Sequence, residues 1–418
     1  MRPISLSRLL PVLLAAALLG ALAPEVVEAA SLRPAGALHA AGVSTASIRL
    51  AWKDRSKGES AYRLQSRVDG SARWASKTLR RDSERAHLGG LGKGLVYEVR
   101  VEACRGGRCS ARGRSIEVAT LLAPFNGPHP DAECATFPTA DEFNRDVSAA
   151  PLDPRSAAIV ARIDSDGPGL LHPDFGSNPS YGIPFVVVPH GQPLFHVKFT
   201  AYGDESDRVP YPVPPGAPVE GGADASGDRH VIVVRRPPEP GGACRLYELY
   251  RSFQTGARTI ADAGASFDLG LPLAGQRPDG WTSADAAGLP IYPGLISYEE
   301  VSSGVIDHAI RVTFDETRKG YVSPATHYAS SSCDPNLPPM GMRFRLKAGY
   351  DTSGLGGDAR VIATALKRYG MINADNGSDW FISGSTDRRW DDENLNGLKE
   401  IPGSAFEVVQ SGNETSPC

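Results

Sequence analysis

The sequence predicts a mainly β protein in which a small β-sandwich precedes a larger β-rich domain, a jelly roll or a related sandwich, with one or two helices. Three observations lead to this prediction. The 418 residues include 45 Gly and 34 Pro, which favour many turns between short strands. Apolar and polar residues alternate with a period of two in one segment after another, as half-buried strands require. Only residues 358–371 carry a clear helical stripe of apolar side chains.

The first thirty residues are typical of a secretory signal peptide. Arg2 and Arg8 flank the start of an apolar stretch over residues 9–22, and Val27-Glu28-Ala29 resembles a cleavage site. The stretch is shorter than the ~20 apolar residues that a transmembrane helix needs. We therefore expect a signal peptide over residues 1–29, a secreted, extracellular protein and no membrane span.

Residues 31–122 are predicted to form the small sandwich, because three alternating segments are separated by turn signals. Within them, the order and spacing of Trp52, Tyr62, Leu91 and Tyr97 resemble those of a fibronectin type III domain. Trp52 matches the buried tryptophan of the second strand, and Leu91 with Tyr97 matches the residues around the tyrosine corner. The resemblance implies a spacer or adhesion module, of a kind often attached to secreted polysaccharide-degrading enzymes.

Six cysteines in an exported chain indicate disulfides rather than a zinc site. Cys104 and Cys109 bracket a tight turn at residues 105–108, so we expect them to join the two strands of one hairpin. The other four cysteines allow three connectivities, among which the sequence does not choose. They are Cys134, Cys244, Cys333 and Cys418.

Charge is divided unevenly along the chain. Residues 31–122 contain 18 Lys and Arg against 8 Asp and Glu, a balance of +10, whereas residues 123–418 contain 24 against 38, a balance of −14. One interpretation is solubility alone, and the other is that the small domain binds an anionic surface such as a cell-wall polymer. We therefore predict a polysaccharide or cell-wall polymer as partner and no nucleic acid.

After a linker at residues 123–133, residues 134–411 are predicted to form the large β-rich domain, with a tail at 412–418. Asp358 is expected to cap the helix over residues 358–371, and a second short helix is expected to begin at Thr282 and Ser283. Four segments, at residues 211–215, 227–230, 280–290 and 366–380, resemble a family of uncharacterised secreted bacterial proteins. That resemblance implies no activity.

The chemistry of the large domain has to be inferred from individual residues, because the serine-nucleophile elbow, the zincin helix, the P-loop and the dinucleotide fingerprint are all absent. Asp228 and His230 enter an apolar strand on the same face by the period of two, and Glu248 interrupts another apolar strand. Buried carboxylates must be paired or shift their pKa, which makes them candidates for acid–base work. We therefore predict Asp228, His230 and Glu248 as catalytic residues of a glycoside hydrolase.

Substrate contacts are predicted from polar and aromatic residues in loops and at strand starts. The predicted substrate-binding residues are Trp281, Asp285, His308 and Arg311. Two further aromatic residues, Tyr292 and Trp380, are candidates for stacking on sugar rings. A polysaccharide lyase that uses His308, Arg311 and Tyr350, or a non-catalytic carbohydrate-binding protein, remains an alternative.

No cofactor is predicted, and the alternative is a calcium ion bound at an EF-type loop. Asp392, Asn394 and Asn396 occupy positions 1, 3 and 5 of an EF-type loop with Gly397 at position 6. Position 12 is Gly403 instead of the bidentate Glu, so the motif is incomplete. The histidines show no ligand spacing on any one element.

Overall fold

The computed structural model describes residues 32–44, 46–68, 71–92, 96–111, 113–120, 134–167, 169–238, 242–255 and 258–418. The predicted signal peptide and the whole predicted linker lie outside these residues. Within the described parts of the chain, no helix combines the length and apolar character needed to cross a membrane.

The small domain is a sandwich of two antiparallel sheets. Its strands are β1 (Gly36–Val43), β2 (Ser47–Lys53), β3 (Ala61–Val68), β4 (Ala75–Arg80), β5 (Arg85–Gly89), β6 (Val96–Arg105), β7 (Arg108–Cys109) and β8 (Ile116–Ala119). One sheet has the order β1-β2-β5, and the other has the order β4-β3-β6-β7 with β8 also paired to β6. This arrangement agrees with the predicted fibronectin type III-like sandwich.

Alternating residues of the small domain meet in one core, as the period of two requires. Trp52 and Tyr62 are buried there with their ring centroids 5.9 Å apart. The Tyr97 hydroxyl accepts a hydrogen bond of 2.8 Å from the backbone N–H of Gly92, a contact typical of a tyrosine corner. The predicted Cys104–Cys109 disulfide is confirmed and closes the hairpin of β6 and β7.

Residues 134–418 are β-rich, as predicted, with four α-helices in the described part. The strands are β9 (His172–Pro173), β10 (Phe185–Val188), β11 (Phe195–Phe199), β12 (Pro210–Tyr211), β13 (Val231–Arg235), β14 (Arg245–Tyr250), β15 (Phe253–Thr255), β16 (Arg258–Ala261), β17 (Ala263–Asp268), β18 (Ile310–Phe314), β19 (Tyr321–Val322), β20 (Arg343–Leu346), β21 (Met371–Asn376), β22 (Phe381–Ile382), β23 (Phe406–Val408) and β24 (Glu414–Thr415). The helices are α1 (Ser156–Ile163), α2 (Tyr298–Ser303), α3 (Gly357–Arg368) and α4 (Asp392–Asn396).

Three sheets of this region are stacked in layers. The outer sheet has the order β12-β11-β16-β15, the central sheet β10-β13-β14-β17 and the wide sheet β23-β20-β21-β18-β22-β9. One face of the central sheet packs on the outer sheet, and its other face packs on the loop at residues 284–295 and on the wide sheet. Helices α1, α3 and α4 cover the far side of the wide sheet. Among the described residues of this region, four strand pairs are parallel, which was not predicted from the sequence.

Two further disulfides decide among the connectivities that the sequence left open. Cys134 is joined to Cys244, and Cys333 is joined to Cys418. The three bonds together are compatible with an extracellular location. Residues 412–418, predicted as a tail, are attached to the large domain by the pairing of β24 with β19 and by the Cys333–Cys418 bond.

Local corrections concern the ends of elements. No helix begins at Thr282 and Ser283; those residues lie in an irregular loop, and the nearest α-helix starts at Tyr298. Helix α3 is capped by Gly356, so Asp358 lies in its first turn instead of at its N-cap. Its predicted end is close to the observed one, since Gly370 follows with a φ of 68° and supplies the left-handed residue that a helix terminus favours.

Candidate functional site

Polar side chains converge in the layer between the central sheet and the wide sheet. Glu248 on β14 and Arg311 on β18 both face this layer, because their neighbours along each strand face the opposite side. Loops bring the remaining members. We call the whole set the buried polar cluster: Glu220, His230, Glu248, Asp285, Arg311 and Asp375.

Arg311 connects two carboxylates within this cluster. Its Nε and Nη2 donate to both oxygens of Asp285, at 2.8 and 2.7 Å, in the bidentate geometry that a guanidinium favours. Nη2 also donates to Asp375 at 3.0 Å, and Nη1 donates to the Ser383 hydroxyl at 2.8 Å. Arg311 and Asp285 are only 6% and 1% exposed, so the cation is held in place inside the protein.

The pKa of Asp375 is perturbed because a second carboxylate, that of Asp285, lies next to it. Burial and the negative charge of Asp285 raise the pKa of Asp375 far above its usual range, and Arg311 only partly opposes them. Like charges that share one site cannot both ionise cheaply. Burial and this repulsion therefore favour the protonated form of Asp375.

His230 and Glu220 form a second pair. Nδ1 of His230 lies 2.6 Å from a Glu220 carboxylate oxygen, and Nε2 lies 3.0 Å from the Ala284 carbonyl. Both ring nitrogens thus face acceptors, so both carry protons and the ring is an imidazolium. Burial alone would lower the pKa of His230, but the charge and hydrogen bond of Glu220 raise it to about 9.

Glu220 is kept ionised by the same contact. Burial would raise the pKa of Glu220, but the His230 charge and its hydrogen bonds outweigh burial and lower that pKa. The side chain of Glu220 is 26% exposed. It therefore presents an oriented carboxylate at the surface of the buried polar cluster.

Glu248 has a different environment. It is fully buried, and its carboxylate accepts hydrogen bonds from the backbone N–H groups of Ile291 and Tyr292, at 2.9–3.0 Å. Burial raises the pKa of Glu248 to about 7, and these two hydrogen bonds oppose the rise. Glu248 thereby attaches the loop around residues 284–295 to the central sheet.

A cavity of about 360 Å³ lies beside the buried polar cluster. Its lining residues are Asp174, Ser180, Tyr181, Gly182, Glu220, Gly221, Ala225, Ser226, Gly227 and Asp228. Three of these are carboxylates, and Tyr181 is an aromatic residue that is 55% exposed. A volume of this size is within the ~300–1,000 Å³ typical of small-molecule sites.

Asp174 is the second perturbed carboxylate of this cavity. It follows the short strand β9, and its backbone N–H donates to the Ile382 carbonyl at 2.9 Å. The surrounding protein removes part of its solvation and, together with the charge of Glu220, raises the pKa of Asp174, while Arg311 opposes the change. The cavity thus holds one carboxyl group with a raised pKa and one with a lowered pKa.

The structure does not bring the predicted catalytic residues together as the sequence suggested. Asp228 and His230 precede β13 instead of lying in it, and the intervening Arg229 has a φ of 51°. The alternation on which their common face was inferred is therefore broken. Asp228 is exposed at the cavity wall and His230 is buried in the cluster, while Glu248 does not line the cavity.

The predicted substrate-binding residues are separated as well. Asp285 and Arg311 belong to the buried polar cluster. Trp281 is half-buried with the Arg277 guanidinium 5.7 Å from its ring centre. His308 is buried before β18, where its ring nitrogens contact the Glu300 carboxylate and the Ala309 carbonyl.

The two further aromatic candidates for sugar stacking are core residues. Tyr292 is 1% exposed and Trp380 is 0% exposed. Trp380 packs among Phe314, Phe344 and Phe406, and its indole N–H donates to Asp164 at 2.8 Å. The prediction that these two rings stack on a substrate is therefore wrong.

The retained calcium motif does not form a loop. Asp392, Asn394 and Asn396 lie in helix α4, which Asp391 caps. Both carboxylate oxygens of Asp392 are occupied by the backbone N–H and hydroxyl of Ser177, at 2.8 and 2.6 Å. Side chains two residues apart on a helix point to nearly opposite sides, so these oxygens do not converge as those of an EF-type loop do.

Sequence reasoning missed Asp174, Tyr181 and Glu220. All three lie outside regular elements, in loops where neither the period of two nor the period of 3.6 applies. Gly182, next to Tyr181, marks the close packing of this region only once the structure is known. It has a φ of 82°, and a Cβ there would lie 2.9 Å from both the Gly384 carbonyl and the Thr386 nitrogen.

No protein-family model matches the chain, and no curated protein matches it. Solved structures that match include the FN1–FN3 domains of chicken CNTN1 (16% identity, TM-score 0.21, covering 22% of this chain and 32% of that one). They also include the FN3 domain of human collagen XX (21% identity, TM-score 0.20, covering 21% and 92%) and a redesigned β-sandwich protein (15% identity, TM-score 0.21, covering 24% and 99%). The chain spans about a third of the length of the CNTN1 fragment. These neighbours concern the fold alone.

Proposed function

We propose that this chain is a secreted carbohydrate-active protein whose large domain is a glycoside hydrolase, with its active site in the cavity that Asp174 and Glu220 line. The observation that carries the proposal is the divergence of these two carboxyl groups within one cavity. Asp174 has a raised pKa and Glu220 a lowered one. Groups whose environments separate their pKa values in this way are suited to opposite roles in acid–base chemistry.

Each group then has a defined task. Asp174, whose pKa is raised, serves as the general acid that donates a proton to the glycosidic oxygen of the leaving sugar. Glu220 is ionised and acts as the nucleophile or as the base that activates water. His230 is a positioning residue, because it holds Glu220 through a hydrogen bond of 2.6 Å without lining the cavity.

The cavity favours a neutral glycan over an acidic one. Its three carboxylates are accompanied by the hydroxyl groups of Ser180 and Ser226, and Tyr181 supplies an exposed ring for stacking. Carboxylates repel a uronate but accept hydrogen bonds from sugar hydroxyl groups. A neutral polysaccharide is therefore the substrate class we propose.

The lyase alternative has less support. It requires a cation available to neutralise a uronate carboxyl, but Arg311 is committed to Asp285 and Asp375 inside the protein. His308 contacts Glu300, and the Tyr350 hydroxyl donates to the Glu400 carbonyl at 3.4 Å. The three groups thus have separate partners. A non-catalytic binding protein does not need two carboxyl groups whose pKa values are shifted in opposite directions, as those of Asp174 and Glu220 are.

Turnover of a panel of neutral and acidic polysaccharides by Asp174→Asn and Glu220→Gln variants tests the proposal. We expect each variant to retain its thermal transition and to lose at least ~10²-fold in turnover, since each removes one positioned proton donor or acceptor. Asp224→Asn is the matched control, because it removes an exposed carboxylate near Glu220 that does not line the cavity.

Chromatography of the products gives the bond cleaved, and ultraviolet absorbance detects unsaturated uronates. Full activity in both variants would show that Asp174 and Glu220 are not the acid–base pair. Unsaturated products would favour the lyase. Sugar binding without turnover by the wild-type protein would favour the non-catalytic alternative. The anomeric form of the first product reports retention or inversion, which carboxyl separations of ~5–5.5 Å and ~6.5–9.5 Å respectively produce.

A further inference from the structure

We infer that the small domain binds a calcium ion through Asp54, Glu59 and Asp82. Asp54 and Glu59 come from the connection between β2 and β3, and Asp82 comes from the turn between β4 and β5. Both connections lie at the same end of the sandwich. One carboxylate oxygen of each residue lies within 4.8 Å of the other two.

Glu59 is the residue that points to a ligand. It is only 4% exposed, and its Oε1 accepts a hydrogen bond of 3.3 Å from the Asp82 backbone N–H. Its Oε2 is buried and has no hydrogen-bond partner among the residues that the structure describes. A buried carboxylate oxygen without a partner is costly, and a bound cation removes that cost.

The other two carboxylates differ in how firmly they are held. Oδ1 of Asp54 accepts hydrogen bonds from the Tyr62 hydroxyl and, at 2.8 Å, from the Ser56 backbone N–H. Asp82 is joined to Arg81 by a 3.0 Å ion pair in which both side chains are about two-thirds exposed. Exposed ion pairs of this kind contribute little to stability. A divalent cation can therefore displace the Arg81 guanidinium from Asp82.

The three carboxylates lie together although the domain has a balance of +10. One oxygen of each is within 4.8 Å of the other two, and the Tyr62 hydroxyl donates to Asp54 beside them. Three negative groups therefore converge at this end of the sandwich. A cation placed among them satisfies all three at once.

Calcium fits this site better than other common metals. All three ligands are hard carboxylate oxygens, which calcium and magnesium prefer over the nitrogen and sulfur ligands of zinc. Calcium accepts irregular geometry at Ca–O distances of ~2.3–2.6 Å, whereas magnesium demands a near-ideal octahedron and is usually bound through only one or two carboxylates. Calcium also accepts the waters that three protein ligands leave room for.

Calcium titration of the full-length, chelator-treated protein tests this site. We expect one bound Ca²⁺ by calorimetry, with a dissociation constant of ~10⁻⁴–10⁻³ M or tighter. We also expect Tb³⁺ luminescence excited through Trp52 and Tyr62, which lie beside the ligands, and its loss on addition of Ca²⁺. Glu59→Gln and Asp82→Asn should each weaken binding by at least about 10-fold.

Glu117→Gln is the matched control, because it removes an exposed carboxylate of the same domain away from the site. It should bind calcium like the wild type. Asp82→Asn alters only an exposed residue, so it keeps the test decisive even where Glu59→Gln unfolds the domain. Wild-type affinity in Asp82→Asn, or no heat of binding in the wild-type protein up to about 10 mM calcium, would overturn the inference.

Discussion

Among single residues, Glu248 shows how a buried carboxylate can serve the structure instead of the chemistry. Its two oxygens satisfy backbone N–H groups at the start of a one-turn helix at Tyr292–Gly294. A glutamine has one oxygen that can accept both of these bonds. Glu248→Gln should therefore fold, and it removes a titratable group without removing the acceptor.

The prediction for Glu248→Gln concerns the dependence of stability on pH. Folding raises the pKa of Glu248 to about 7. The contribution of Glu248 to stability is therefore fully present below its pKa in the unfolded state, and it is lost as pH rises through 7. The stability of the wild type should thus fall relative to that of the variant between pH 5 and 8, by up to about 3 kcal/mol. Thermal unfolding of both proteins across this range measures the difference. Parallel pH profiles would show that Glu248 does not titrate there.

The residues of the site differ in how far the sequence could reveal them. His230, Glu248, Asp285 and Arg311 were predicted, because a polar residue in an apolar context is visible without a structure. Their grouping was not predictable, since the positive φ of Arg229 turns Asp228 outward while His230 stays inside. The cavity carboxylates in loops carried no periodic signal.

At the scale of elements, the loop at residues 177–183 shapes the cavity through one glycine. Gly182 has a φ of 82° and has backbone atoms of residues 384 and 386 at 2.9 Å from a Cβ position. Gly216 has a similar φ of 75° but no atom within 4 Å of its Cβ position. Alanine at Gly216 would therefore introduce only the strain of a left-handed residue. Alanine at Gly182 would introduce the same strain and a steric clash as well.

We predict that Gly216→Ala costs ~1–2 kcal/mol of stability, the cost of a left-handed alanine. Gly182→Ala should cost at least about 1 kcal/mol more, because backbone on two sides has to move. Chemical denaturation of the two variants gives both numbers. An equal loss in both would mean that the loop bearing Tyr181 accommodates the methyl group without strain.

The elements themselves were predicted where one pattern dominates. Strand β14 was predicted as the apolar strand that Glu248 interrupts, because its residues form a short apolar run. Helix α3 was predicted from its stripe of Ile362, Ala365 and Leu366. The four parallel pairings were not predictable, because periodicity says which face of a strand is buried and not which strand it pairs with.

At the scale of the whole molecule, the uneven distribution of charge is visible in the sequence. The structure adds which charged side chains of the small domain have partners. The small domain presents Trp74 with the guanidinium groups of Arg67 and Arg100 over its ring, at 4.7 and 4.0 Å. Arg67 is paired with Glu98, whereas the Nε of Arg100 donates to the neutral Gln65 side chain at 2.9 Å. Arg100 is therefore the better candidate for contact with an anionic polymer.

We predict that the full-length protein binds an anionic cell-wall polymer through its small domain and that this binding weakens steeply with salt. Exposed charges are screened as the Debye length falls to ~8 Å at physiological ionic strength. Arg100→Gln should lower the affinity at low salt by about 2- to 5-fold, the range of one exposed ion pair. Co-sedimentation with the polymer at low and high salt measures both effects.

Arg388→Gln provides the control for this prediction, because it removes the same charge from an exposed position of the large domain. If the small domain makes the contact, Arg388→Gln should bind like the wild type at every salt concentration. An equal loss in the two variants would mean that the polymer responds to net charge alone. The balance of +10 on residues 31–122 would then serve solubility, and the small domain would be a spacer.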